Sequence, residues 1–278
     1  MKKISAIFDG LKFSAGTLAY STKIAESSKA MLSGVFLESF LYNSYKLTDL
    51  IGSHGLSQVK MLHLLEKDKE TRIKSAAIFE QACKKVHISF TVHHDNNFAL
   101  QEAIKESIYS DLLVIGADET LSHLNDPAPT QFVRELLGSS QCPVFIVPRD
   151  FTAIEKVVLL YDGKPAAVHA IKMFNYMMPW LRYKETEIVY VTGSEDEMQL
   201  PDEHLVQEFI KCHYPAAVYT ILQGDAENEV IKYLKNSGEN ILIVTGAYHR
   251  SDVSRWFKSS MADRLMKEIN APLFIAHN

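Results

Sequence analysis

Apolar residues along this chain fall into short runs and into longer segments with helical spacing, and the two patterns take turns from one end to the other. The run from Lys3 to Phe8 alternates before Asp9-Gly10 and reads as a first strand ending in a turn. Ser14 caps a predicted helix to about Lys29, and Met31 to Leu37 forms a second strand. The segment Glu38 to Ser57 carries Phe40, Tyr42, Tyr45 and His54 with no clean period and predicts loop or short helical turns. Val59, Leu62, Leu65, Ile73, Ala76 and Phe79 recur at mainly helical intervals, which predicts one long amphipathic helix from Gln58 to Lys85. A third strand follows from Val86 to Val92 and a third helix from Phe98 to Tyr109. Leu112 to Ile115 is a short apolar strand ending at Gly116, Asp118 to Pro129 is loop, Thr130 to Leu137 is helix, and Val144 to Val147 closes the series.

Then the pattern restarts. Lys156 to Leu160 followed by Tyr161-Asp162-Gly163 repeats the earlier Ile-Phe-Asp-Gly ending, and Pro165 stands where the first turn of a helix tolerates proline. A helix to about Trp180, a strand Glu187 to Val191, a helix Asp202 to Cys212, a strand Ala217 to Leu222 and a helix Ala226 to Leu234 come next. Ile241 to Val244 turns at Thr245-Gly246 into a polar loop. Helical spacing resumes at Ser259, with Ser259-Ser260 as N-cap and Met261, Leu265, Met266 and Ile269 on one face. After Asn270 and Pro272 the last apolar run is Leu273 to Ala276. Asp9 and Asp162 stand 153 positions apart, Gly116 and Gly246 130, and Cys142 and Ala271 129, so the halves agree after their fourth strands. The residues missing from the second half are placed mainly opposite Glu38 to Ser57.

Strands alternating with helices predict an α/β fold of two tandem, doubly wound, five-stranded parallel sheets of Rossmann-like type, one domain over 1–150 and another over 151–278. Ligands on such sheets sit beyond the carboxyl ends of the strands at the switch point. In the second half the residues meeting there are Asp162 and the loop after Gly246.

Composition changes this picture little, but it narrows the partners. A formal charge of −5 gives no general attraction to nucleic acid or to an anionic membrane, so neither is an expected partner. Met1-Lys2-Lys3 leads into an alternating run rather than the apolar core of a signal peptide, and no run approaches spanning length; a cytoplasmic location is expected. Cys83, Cys142 and Cys212 show no paired or metal-ligand spacing and read as buried or incidental thiols. His93-His94 reads as a solvated strand end rather than a metal site, Trp256-Phe257 as packing, and Glu195-Asp196-Glu197 with Asp202-Glu203 as solvated acids. No nucleophile stands with a base in a recognisable motif and no Gly-Lys-Ser/Thr phosphate loop exists, so no enzymatic activity is expected.

The closing stretch Ile241 to Ala276 resembles the end of a universal stress protein domain, whose pattern is Gly, two residues, Gly, nine residues, Gly, then Ser or Thr. Gly246 matches the first glycine, His249 and Ser259 stand at the second and third, and Ser260 at the hydroxyl. Arg250, Ser251, Ser254, Arg255 and the ending Ala271-Pro272-Leu273-Phe274-Ile275 add to the likeness. The resemblance implies a tandem, non-catalytic, cytoplasmic stress-response protein whose C-terminal domain holds ATP or AMP with magnesium. It places the phosphates on Gly246, His249, Arg250, Ser251, Ser259 and Ser260, the ribose side at Asp162 and adenine at the backbone near Val191.

In the first half, by the same resemblance, Glu119 falls at the second glycine, Thr130 and Gln131 at the third glycine and hydroxyl, and Asp118 and Asp126 lie near; these acids repel phosphate, so no nucleotide is expected there. Asp9 by itself reads as a turn residue. The family also implies pairing of the two domains through their last strands, Val144 to Val147 and Leu273 to Ala276; a homodimer and protein partners stay open. The competing reading is a nucleotide-free interaction or scaffold protein on the same fold.

Overall fold

A computed structural model describes residues 1–37, 44, 51–52, 55–56, 58–95, 98–122, 126–193, 199–238, 240–246 and 260–276. The first half runs β1 (Lys3–Asp9), α1 (Ala15–Ser28), β2 (Met31–Leu37), the two-residue strands β3 (Ile51–Gly52) and β4 (Gly55–Leu56), α2 (Gln58–Lys85), β5 (Phe90–Asp95), α3 (Ala99–Ile108), β6 (Leu112–Gly116), α4 (Gln131–Ser139) and β7 (Val144–Val147). The second runs β8 (Lys156–Leu160), α5 (Pro165–Met177), a 3-10 turn (Pro179–Tyr183), β9 (Glu185–Thr192), α6 (Glu203–His213), β10 (Val218–Gln223), α7 (Ala226–Lys235), β11 (Ile241–Gly246), α8 (Met261–Glu268) and β12 (Leu273–Ala276).

Ten strands make one sheet in the order β10-β9-β8-β11-β12-β7-β6-β1-β2-β5. Within each half of this sheet every pairing is parallel, while β3 and β4 form a separate antiparallel pair. At the seam β12 meets β7 antiparallel, with Leu273 opposite Ile146, Phe274 opposite Phe145 and Ile275 opposite Val144. Each half places its own strands third, second, first, fourth, fifth, which is a doubly wound lobe with a switch point between its first and fourth strands.

Strands in the middle of such a sheet are covered on both faces and therefore read as unbroken apolar runs. That is what β6, β7 and β12 show, with every residue buried. The outermost strands are more open: Val218 and Tyr219 of β10 are exposed or nearly so. One face of the sheet is packed by α1, α2, α5 and α6 through Tyr20, Phe79, Phe174 and Ile210. The other is packed by α3, α4, α7 and α8 through Ala103, Leu136, Ile231 and Leu265. Both apolar layers run across the seam.

Three expectations are corrected. The third strand begins at Phe90 rather than Val86, because α2 ends in a left-handed residue, His87 (φ 55°), with the Ile88 amide donating back to Cys83 O. Helix α5 stops at Met177, since Pro179 cannot continue it. The length difference between the halves lies largely in a helix, 28 residues in α2 against 11 in α6. Of the segment Glu38 to Ser57, only Ser44 and the short β3 and β4 fall among the described residues.

A polar anchor sits at the start of the first strand in both lobes, built differently. In the first, Glu106 on α3 takes His93 Nδ1 at 2.6 Å and Lys3 Nζ at 3.4 Å. His93 is therefore a half-buried partner rather than a solvated strand end. In the second, the carboxylate is on a strand: Glu187 of β9 lies 2.8 Å from Lys156 Nζ, and Tyr233 donates to it at 2.5 Å, with Thr220 donating as well. Burial raises both acids, but their hydrogen bonds and cations outweigh it and hold them below the usual carboxylate range. Burial pushes the thiols of Cys83 and Cys142 up to about 12, so neither is a nucleophile at neutral pH.

Candidate functional site

The carboxyl ends of the first and fourth strands define an equivalent crevice in each lobe, flanked by the helix that follows each strand. In the second lobe Asp162 follows β8. Its Oδ1 accepts the Lys164 amide at 3.0 Å, its Oδ2 lies 3.0 Å from Lys164 Nζ, and its side chain is 53% exposed. Val191, near the end of β9, is half-buried and pairs with Leu222 of β10. Gly246 ends β11, and the first turn of α5 presses directly on it: a Cβ at this position would lie 2.4 Å from both C and O of Ala166. The glycine is thus required by helix-on-strand packing whether or not a ligand is present. Its structural counterpart in the first lobe, Gly116, is under no such pressure, the nearest atom to a Cβ there being Asp118 Oδ1 at 3.2 Å. There the tight spot moves to the helix, where a Cβ on Gly16 of α1 would meet Pro148 O at 2.2 Å.

Ser260 is the N-cap of α8. Its Oγ accepts the Asp263 amide at 3.1 Å, and its own amide donates to Asp263 Oδ2 at 3.0 Å, a reciprocal capping box. Asp263 also faces Arg134 of α4 across the seam, Nε to Oδ1 3.7 Å. This acid escaped the sequence reading, although Ser-x-x-Asp ahead of an apolar helix is the signal for it. It puts a negative charge on the helix terminus that the resemblance assigns to phosphate, and it takes up the Ser260 amide. His249, Arg250, Ser251 and Ser259 lie outside the described residues, as do Trp256 and Phe257. Of the eight candidate residues, the structure therefore places Asp162, Val191, Gly246 and Ser260.

The first lobe uses the same positions otherwise. Thr130 caps α4 as Ser260 caps α8, so Thr130, not Gln131, holds the hydroxyl position. Its Oγ1 accepts the Val133 amide at 3.2 Å and donates to Glu119 O, while the Asp126 carboxylate accepts the Gln131 amide. The loop from Ala117 folds down on the strand ends: Glu119 and Leu121 are buried, and Lys12 Nζ donates to Ser122 O at 3.0 Å. Asp118 pairs with Arg149 at 2.5 Å. Asp9 is buried here, 1% exposed, its Oδ1 accepting the Leu11 amide at 2.7 Å. Burial, reinforced by the charges of Asp9 and Asp118 and only partly offset by Lys12, pushes the Glu119 carboxyl up to about 8.

Among the described residues no group of three or more His, Cys, Asp or Glu side chains is placed to hold a metal ion, and no helix is long and apolar enough to cross a membrane.

Set beside solved structures, the whole chain superposes on a universal stress protein from Archaeoglobus fulgidus DSM 4304, with a TM-score of 0.74 and 16% identity over 99% of this chain and 98% of that one. The fold is that of the universal stress proteins. A functionally unknown protein from Pseudomonas aeruginosa PAO1 shares it at a TM-score of 0.64 and 11% identity, covering 100% of this chain and 92% of its own. So does the cytoplasmic domain of a prokaryotic cation chloride cotransporter, more distantly, at 0.50 and 8% over 99% and 94%. No family model matches the chain, and no curated protein does. At these identities the likeness concerns the universal stress protein fold alone, and the site has to be argued from its residues.

Proposed function

We propose that this chain is a non-catalytic tandem universal stress protein of the cytoplasm that binds one adenine nucleotide, ATP or AMP with magnesium, through its second lobe. The observation that carries this reading is the contrast at the strand ends: the Asp162 side chain is half exposed, whereas Asp9 is buried, as are Glu119 and Leu121 of the β6–α4 loop. Lys164 beside Asp162 adds a cation at the mouth. By the family resemblance Asp162 meets the ribose, the backbone near Val191 the adenine, and the stretch from Gly246 to Ser260 the phosphates. The first lobe holds no nucleotide.

A second reading, a nucleotide-free interaction protein, is favoured by one specific feature. Asp263 occupies the α8 terminus, and a phosphate would have to settle against that charge.

Equilibrium dialysis with ATP or AMP and magnesium separates the two. The first reading expects one nucleotide per chain and a loss of binding in Asp162→Ala; no binding at millimolar nucleotide leaves the second. If nucleotide binds, Asp263→Asn raises affinity about two- to fivefold by removing a like charge at the helix terminus. His249→Gly with Ser259→Gly raises it too if those side chains only obstruct, and lowers it if they are ligands. Gly246 is a poor site for a binding-dead variant, because any side chain there collides with the backbone of α5.

A further inference from the structure

Helix α2 runs 28 residues where its counterpart α6 runs 11. Lys85 precedes Phe90 by the same distance as His213 precedes Val218, so the surplus lies at the N-terminal end of α2. The core takes Ser75, Ala76, Phe79 and Cys83 from its C-terminal half. Upstream of these α2 buries Asp68 alone, which accepts the Ser44 amide at 2.8 Å. Along another side of the helix large apolar side chains face water: Val59 is 80% exposed, Leu62 60% and Ile73 58%. A helix gains little from its own hydrogen bonds in water and depends on the packing of its apolar face, which this stretch does not find within the lobe.

The exposed side has a regular spacing. Alternate steps of three and four join Val59, Leu62, Glu66, Lys69, Ile73 and Ala76, which is the spacing of a coiled-coil seam with an acid and a base at its centre. Glu70 and Glu80 pair with Lys74 and Lys84 one turn on, whereas among the described residues no ion pair takes up Glu66 or Lys69. We propose that this seam is a homodimer interface, in which two chains pair antiparallel through residues 59–76 of α2 about a two-fold axis between Lys67 and Asp68. In that register the seam matches itself: Leu62 meets Ile73, Glu66 meets Lys69 and Val59 meets Ala76, each match occurring twice. A parallel pair would set Glu66 on Glu66 and Lys69 on Lys69. A slip of one heptad would set Glu66 against Leu62 or Lys69 against Ile73, so the charges fix both direction and register. The seam also runs onto a groove of about 430 Å³ between α2 and β5, lined by Ile73, Ala76, Ala77, Glu80, Lys84 and His94. Into it the same register delivers Val59 and Leu62 of the second copy. Strand β5 is the outermost at this end of the sheet, so the second copy approaches from the end of the molecule.

The test is sedimentation velocity on the full chain over a concentration series, with circular dichroism to check the fold of each variant. Leu62, Glu66 and Lys69 are exposed in the single chain, so their substitution leaves the core untouched. The wild type is expected to dimerise, and Leu62→Asp to stay monomeric where the wild type is a dimer. Glu66→Lys and Lys69→Glu are each expected to weaken the dimer about tenfold or more by setting like charges on one another. The two reversals combined in one chain restore it, because position 66 faces position 69. Mixing the two single variants restores it as well, as a heterodimer, which a pair made within one helix could not do. A wild type that is monomeric throughout overturns the proposal, as does a dimer that Leu62→Asp leaves intact. Weakening without recovery in the mixture overturns the antiparallel register. If the wild type is a monomer and Leu62→Asp lowers its Tm, the seam is covered from within the chain instead.

Discussion

Asp9 ends β1 and Asp162 follows the equivalent β8 in two lobes with the same strand order, yet the first is buried and the second stands half exposed. The described part of the loop after the fourth strand contributes to the burial in the first lobe. In the first lobe Glu119, Leu121 and Thr130 fold into the strand ends and turn the crevice into core. The comparison teaches that a duplicated scaffold can keep its sheet while reassigning the one place where the fold leaves room. The anchors at the opposite end of the strands follow suit, a lysine on the first strand meeting a carboxylate supplied by helix α3 in one lobe and by strand β9 in the other. What is held constant is the charge pair; which element brings the acid is free.

The sharpest way to break the comparison is at the paired glycines. Gly246→Ala is expected to cost about 3 kcal/mol or more, or to prevent folding, because its Cβ would overlap the Ala166 backbone, whereas Gly116→Ala should cost about 1 kcal/mol or less. Equal losses in denaturant titrations would mean that the lobes do not differ there. Next come the anchors. Glu187→Ala, which takes the acceptor from Tyr233 and Thr220 at a 4%-exposed site and leaves Lys156 to Glu185, is expected to cost about 2–4 kcal/mol, and Glu106→Ala, at 15% exposure, about half of that. The reverse order would refute the reading that the strand-borne acid is the more deeply committed.

Acid should show the same ranking. Both carboxyls are held below their ordinary values, so their contributions are complete above the ordinary range and are lost as pH falls through the lowered ones. The acid limb of the stability curve is therefore expected to flatten in Glu187→Gln, and to a lesser degree in Glu106→Gln. The smallest expected effect is across the seam. Arg134→Ala, breaking a 3.7 Å contact from a half-exposed guanidinium to Asp263, should change stability by less than about 0.5 kcal/mol.

Most of the scaffold was legible because the apolar pattern is strong: α2 runs from Gln58 to Lys85 as its spacing predicts, and β7 and β12 are plain apolar runs. The start of β5 was less legible: His87 takes the left-handed position beyond α2 without the usual glycine mark and the Ile88 amide closes the turn, so the strand begins only at Phe90. The site was legible only in part. Gly246 stood out, but its reason, the first turn of α5, lies some eighty positions earlier in the chain. Asp9 and Glu119 are farther apart still, and nothing local to either shows that both are buried. Asp263 could have been found, since its spacing from Ser260 is a local signal.

The antiparallel seam has a mechanical consequence. Because β7 and β12 lie side by side inside a single sheet and the apolar layers cross the join, a cut in the connecting peptide between residues 150 and 155 should leave a nicked protein that travels as one body. Either half made separately would instead present a naked strand edge, Val144–Val147 or Leu273–Ala276, with unpaired amides flanked by apolar side chains. Such a half should recruit another like itself, back to back, in place of its missing twin.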